Sequence, residues 1–162
     1  MRRTDREITD IKAMEAILAK ADICRLAFND RGYPYLVPMN FGYKDGYLYF
    51  HSAPEGRKID LIKKDNRVAF EVSMYKGPVA RGAPCGWDFS YRCVIGFGRI
   101  QIIKDPKEKR KAIDIMIRHY TKRKYKLLPA RSAKIVMLKL KIEGMTGKAS
   151  KSWATTGKLF PL

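Results

Sequence analysis

Hydrophobic and polar positions along this chain repeat with two different periods, and the switches between them mark out its elements. In residues 9–21, TDIKAMEAILAKA, Ile11, Met14, Ile17, Leu18 and Ala21 fall on one face at helical spacing, with Thr9 placed to cap the segment. The period then drops to two. RLAFND, PYLVPMNFGY and YLYFHS are strand-like runs, the first pair separated by a glycine-containing turn and the second by Lys44-Asp45-Gly46. Asp-Gly between two aromatic runs signals a hairpin. Pro38 lacks a ladder donor, so its strand is interrupted or lies beside something other than a neighbouring strand.

Further on, RVAFEVSM puts Val68, Phe70, Val72 and Met74 on one face. Residues 75–90, with three glycines and two prolines, are expected to form a long surface loop. YRCVIGFGRIQII follows as a long strand, where Gly96 and Gly98 mark a bulge or a close backbone approach. Asp105-Pro106-Lys107-Glu108 carries a cap, a first-turn proline and a capping-box glutamate. A stripe of Ala112, Ile113, Met116, Ile117 and Tyr120 continues that helix. KIVMLKLKIEG then alternates Val136, Leu138, Leu140 and Ile142 with lysines, as a half-buried strand does. About six strands joined mostly by hairpin-length connections give an antiparallel sheet. The expected architecture is a mainly β (α+β) single domain over residues 1–162, an antiparallel β-barrel with helices packed outside.

Composition narrows the function classes. At 162 residues with 46% hydrophobic and 31% charged, the chain has a globular make-up. Its apolar runs are broken by charge, so a membrane span is not expected, and MRRTDREITD lacks the apolar stretch of a secretory signal. Cytoplasmic residence is the resulting expectation. Cys24, Cys85 and Cys93 cannot all pair, and with only His51 and His119 to supplement them a metal site is not expected. The 34 Lys+Arg against 16 Asp+Glu leave a net charge of +18, a field that attracts polyanions and phosphorylated small molecules without choosing among them. Basic residues cluster at 107–111 and 118–126.

The candidate chemistry lies in YFHSAPEGRKIDLIKK. A strand ends in His51 and Ser52, and a helix opens with Arg57 and Lys58, where the macrodipole is already positive. Imidazole, hydroxyl, two cations and the free amides of a first helical turn could together hold a phosphate. The alternative is that Ser52 caps the helix, Glu55 completes a capping box, and the cations point to water. Asn40, amid Pro38, Met39 and Phe41, needs partners if buried. Trp87 and Trp153 could cover a flat ring or plug the core.

The order GYPYLVPMNFGYKDGYLYFHSAPEGRKIDLIKKDNRVAFEV followed by WDFSYRCVIGFGRIQII resembles the pyridoxamine 5′-phosphate oxidase-like FMN-binding split-barrel flavoproteins, nearest to the nitroimidazole-resistance branch. The resemblance runs from about residue 8 to 145, and is densest in G-x-L-Y-F-H-S-A…G-R-K and Y-R-x-V-I-G-x-G. It implies a six-stranded split barrel, usually homodimeric, with FMN at the subunit interface. It would set the flavin ring against Val37, Pro38, Met39, Asn40 and Phe41, the phosphate by His51, Ser52, Arg57 and Lys58, and Cys93 and Val94 beside the cofactor. Many relatives carry serine or glutamine where Cys93 stands. The tail from about 146 to 162, MTGKASKSWATTGKLFPL from Met145 on, departs from the true oxidase and is expected to pack on a partner subunit with Trp153 near the flavin.

The leading expectation is therefore an FMN-dependent oxidoreductase passing electrons to a small organic acceptor, such as a nitro compound, with no side chain required as acid or base. A flavin carrier or sensor without turnover and a deazaflavin-dependent reductase stand as alternatives. A nucleic-acid-binding barrel using residues 107–126 is the least favoured.

Overall fold

The computed structural model describes residues 2–123, 125 and 134–154. Its elements run β1 (Glu7–Ile8), α1 (Ile11–Leu18), β2 (Ile23–Asp30), β3 (Tyr33–Asn40), β4 (Gly42–Lys44), β5 (Tyr47–Ser52), α2 (Arg57–Lys64), β6 (Arg67–Val79), β7 (Asp88–Ile103), α3 (Pro106–Tyr120) and β8 (Val136–Ala149). All eight strands belong to one antiparallel sheet in the order β3-β2-β6-β7-β8-β5-β4, with β1 attached to β8. This is a mainly β split barrel flanked by three helices. The two strands beyond the expected six are short: β1 has two residues and β4 three.

Several local expectations shift. The cap of α1 is Asp10, whose carboxylate accepts from the Lys12 amide at 2.9 Å, rather than Thr9. β6 and β7 run into the expected 75–90 loop as a two-stranded ribbon as far as the pair Val79 and Asp88, with an irregularity between Tyr75 and Gly77. The loop proper is residues 80–87. β8 continues to Ala149, so residues 146–149 belong to the sheet rather than to a separate tail. Residues 155–162, and Lys124 and Lys126 of the basic cluster, lie outside the described residues. Pro38 sits in β3, an edge strand paired on one side only, where a missing donor is tolerated.

Two tight turns set the register. Arg31-Gly32 joins β2 to β3 and Asp45-Gly46 joins β4 to β5, each with both residues at positive φ (52° and 86°; 49° and 78°). That is the two-residue turn whose twist matches antiparallel strands.

The terminal strands of the sheet, β3 and β4, are consecutive in the chain and separated by Phe41 alone. The sheet must therefore curl until its ends meet, although no ladder joins them. Tyr120 of α3 bridges this seam. Its hydroxyl accepts from the Phe41 amide at 2.8 Å and donates to the Asp22 carbonyl at 2.6 Å. Beside it, His119 Nε2 lies 2.7 Å from the Ala21 carbonyl and its ring packs 4.7 Å from that of Phe41.

Strand alternation divides the apolar residues into two cores. Leu26, Phe28, Leu48, Phe50, Phe70 and Leu140 point into the barrel, which α1 completes with Met14, Ile17 and Leu18. Tyr49, Ile103 and Met137 point outward and are covered by Ala112, Ile113 and Met116 of α3. Each fully buried large side chain contributes about 1.5–3 kcal/mol relative to exposure. Among the described residues no helix is long and apolar enough to cross a membrane.

β7 and β8 shift register between Phe97 and Gly98, so that Phe97 pairs with Gly144 and Gly98 with Ile142. A Cβ on Gly98 would run into the Lys141 carbonyl oxygen. Gly98→Ala is expected to lower stability by about 1–3 kcal/mol through forced backbone displacement, read from the midpoint of urea unfolding. Tyr120→Phe leaves one amide and one carbonyl of the seam unpaired. It should cost about 1–2 kcal/mol in the same measurement, with little change in the circular dichroism of the folded state.

Candidate functional site

The corner where β5 gives way to α2 gathers the charged residues singled out above. Alternation along β5 turns Ser52 toward the barrel, where it is buried, and His51 to the exposed outer face. Ser52 does not cap α2. The N-cap is Gly56, at φ 110°, and no side chain caps the helix, so the capping box with Glu55 does not form. The first-turn amides thus have no side-chain acceptor from the cap.

The two cations of this corner differ. Arg57 Nε donates to Asp30 Oδ2 at 2.6 Å, and its guanidinium lies 4.6 Å from the centre of the Tyr35 ring. Lys58 is half-buried, and among the described residues no hydrogen bond or ion pair reaches its ammonium. Burial alone pushes its pKa below the ordinary lysine value. A desolvated cation beside an uncapped helix N-terminus is a place where an anion would be stabilised.

Along β3, Val37 and Met39 turn inward and pack on the barrel core, while Pro38 and Asn40 face outward. Asn40 and His51 meet in a cavity of about 600 Å³ whose other walls include Met116, Ile117, Tyr120 and Met137. The apolar stripe of α3 was visible in its spacing, but its role as a cavity wall depends on how the helix lies across β5 and β8.

Cys93, Val94 and Trp153 form a second group, on β7 and the turn after β8. Val94 is fully buried in the barrel, so only its backbone is available on the outside. Cys93 is half-buried opposite Ser73 and Lys148, and burial raises its thiol pKa, away from a reactive thiolate. Trp153 closes the short turn Lys151–Trp153. Its ring lies 4.7 Å from Lys76 Nζ and 5.0 Å from Arg92 Cζ, and Lys76 also donates to the Trp153 carbonyl at 2.7 Å. Asp30, Tyr35 and Lys76 are not singled out by sequence, and Tyr120 stands there only as part of a helical stripe, because each matters through a contact between distant segments. Among the described residues no cluster of three or more His, Cys, Asp or Glu could hold a metal ion.

An antiparallel sheet curled into a barrel with an open seam defines the class as a split barrel. The chain belongs to the pyridoxamine 5′-phosphate oxidase family, whose model matches residues 10–149. It is similar to a candidate 5-nitroimidazole antibiotic resistance protein from Bacteroides thetaiotaomicron, at 36% identity over 88% of this chain and 85% of the other, with a TM-score of 0.78. The fold is shared with a flavocytochrome from Azotobacter vinelandii (18% identity, 93% and 72% covered, TM-score 0.80). A FAD-binding protein from Mesorhizobium loti shares it too (24% identity, 90% and 98% covered, TM-score 0.67). No curated protein sequence matches.

The state of Lys58 gives a direct test of the corner. Without an anion its pKa lies below the free-lysine value because burial disfavours the charged form; an anion alongside favours that form and moves the pKa up. Titration of the Lys58 side chain by NMR should show this rise on addition of flavin mononucleotide. An unmoved titration with flavin bound would exclude Lys58 as an anion partner.

Proposed function

We propose that the chain is a flavoprotein oxidoreductase that binds FMN and passes electrons from a reduced donor to a small organic acceptor. The observation that carries this reading is the half-buried, unpartnered Lys58 at the uncapped start of α2, inside a family fold shared with flavin-binding proteins. Lys58 and the first-turn amides would take the terminal phosphate, joined by Arg57 once it turns from Asp30. The backbone of Val37, Pro38 and Met39, with the Asn40 side chain, would border the ring, and His51 on the outer face of β5 would flank the phosphate side, whereas the Ser52 side chain, turned into the barrel, would take no part. Bound flavin supplies the electron-transfer chemistry; the protein supplies position and field. The likeness to the Bacteroides protein favours a nitro compound as acceptor.

The reading includes a homodimer. Leu36, Ile95 and Phe97 on the outer face of the sheet are 59%, 54% and 59% exposed, a large amount of apolar surface for a monomer. Cys93, Val94 and Trp153 belong to a different stretch of the sheet from Lys58. With FMN at a subunit interface, they would serve the cofactor held by the other copy.

Purified protein should be yellow, with absorbance near roughly 450 nm as oxidised flavins show, and should oxidise a nicotinamide donor in steady state. Arg57→Ala with Lys58→Ala should weaken FMN binding by about 10- to 100-fold, the loss expected for charge-assisted hydrogen bonds, in a domain that stays folded with its unfolding midpoint modestly lowered by the loss of the Asp30 contact. Retention of stoichiometric flavin by the double variant would refute the phosphate assignment. A flavin-bearing protein that never turns over would be a carrier.

A further inference from the structure

Four cations along and just beyond α3 have no part in the flavin reading. Arg110, Arg118, Lys122 and Arg123, with the single carboxylate Asp114, line a hollow of about 550 Å³. None of the four forms an ion pair among the described residues. Neighbouring cations behave differently. Lys109 donates to the Ile135 carbonyl at 2.6 Å and Lys139 to Glu108 at 2.8 Å, so both are engaged in holding α3 to β8.

This hollow adjoins the apolar cavity that Asn40 and His51 border. The two share Ile117, Thr121 and Tyr125 as walls. The helix explains the junction. Ile113, Met116, Ile117 and Tyr120 form its inward stripe, while Arg110, Asp114 and Arg118, four residues apart, form the adjoining stripe one step round. A hydrocarbon or aromatic body lying along the first stripe would place an acidic group over the second.

We infer that these two adjoining hollows together bind an organic acid with an apolar body, its carboxylate held by Arg118 and Lys122 and its apolar end directed toward His51 and Asn40. A neutral ligand would gain only the apolar contact, and an organic cation would meet a local excess of positive charge. A nucleic acid would use the charge but not the apolar walls. Resting on the flavin reading for its redox role, this names the acceptor class: an apolar acid whose uncharged end comes to the cofactor side of the cavity. The binding claim itself stands on the two hollows alone.

Isothermal titration of the purified protein, flavin-loaded and flavin-stripped, with naphthalene-2-carboxylate and with the neutral naphthalene-2-carboxamide tests it. The carboxylate should bind about tenfold tighter or more. Arg118→Glu with Lys122→Glu should erase that preference, and the milder Arg118→Gln with Lys122→Gln should do the same if charge reversal impairs folding. Ile117→Asp should weaken both probes, whereas Lys12→Glu on α1 should change neither. Equal affinity for the two probes, or a preference surviving both pairs of substitutions, overturns the inference. So does a single-stranded oligonucleotide that competes with a steep salt dependence in the parent and in Ile117→Asp alike, since the patch would then be a nucleic-acid surface. Carboxylate selectivity in a protein that takes up no flavin would defeat the flavin reading and leave the acid-binding claim standing; flavin uptake without selectivity would do the reverse.

Discussion

The structure depends on one covalent constraint: the two end strands of its sheet are neighbours in the chain. A single residue, Phe41, separates β3 from β4. An open eight-stranded sheet cannot keep its ends apart under that condition, so it curls into a barrel with a seam instead of a last ladder. Phe41 is fully buried at the seam, and α3 supplies what the missing strand pairing would have supplied. The helix is held in turn by packing Ala112, Ile113 and Met116 over the outer face of β5, β7 and β8. Barrel closure and helix placement are therefore one event, and the cavity beside His51 is its by-product.

Charge is used unevenly on this frame. Much of the excess of +18 is solvated, and several cations have structural work. Arg67 folds back on Asp65, holding that carboxyl near a pKa of about 2. The sign is the usual one for a depressed acid: the contribution exists above the ordinary carboxyl range and fades as pH falls toward about 2. Because this pair is exposed, its worth is small. Tyr43 is an opposite case in a different place. Burial and a 2.6 Å bond to Glu15 push its phenol up to about 12, so its contribution holds below the ordinary phenol value and is lost in strong alkali. Against these satisfied groups Lys58 is distinctive for being half-buried with no counter-charge among the described residues.

Most of the architecture was legible in the alternation of residues, because period-two runs and turn chemistry are local. The Asp-Gly and Gly turns, the α3 start at Asp105 and the apolar faces of β6 and β8 all appear where local chemistry puts them. Capping at α2 was misjudged because Ser52 is still strand, held opposite Val136, and cannot turn to serve a helix five residues on. The ribbon extending β6 past Gly77 and Pro78 was hidden by its composition. Beyond Val72 that strand pairs only with β7, and a strand with one free side tolerates proline. The candidate site was half legible. Lys58 and His51 stand out by spacing, but Asp30 beneath Arg57, and the cavity joining His51 to α3, exist only once the seam has formed.

The Arg57–Asp30 contact acts as an internal competitor. The guanidinium is already satisfied by a carboxylate and an aromatic face, so an incoming anion gains from it only by outbidding Asp30. Singly charged metabolites have little to offer in that exchange, whereas a phosphate monoester dianion brings more charge and more acceptor atoms. On the proposed reading, Arg57 would discriminate against chloride and carboxylates through a partner swap rather than through shape.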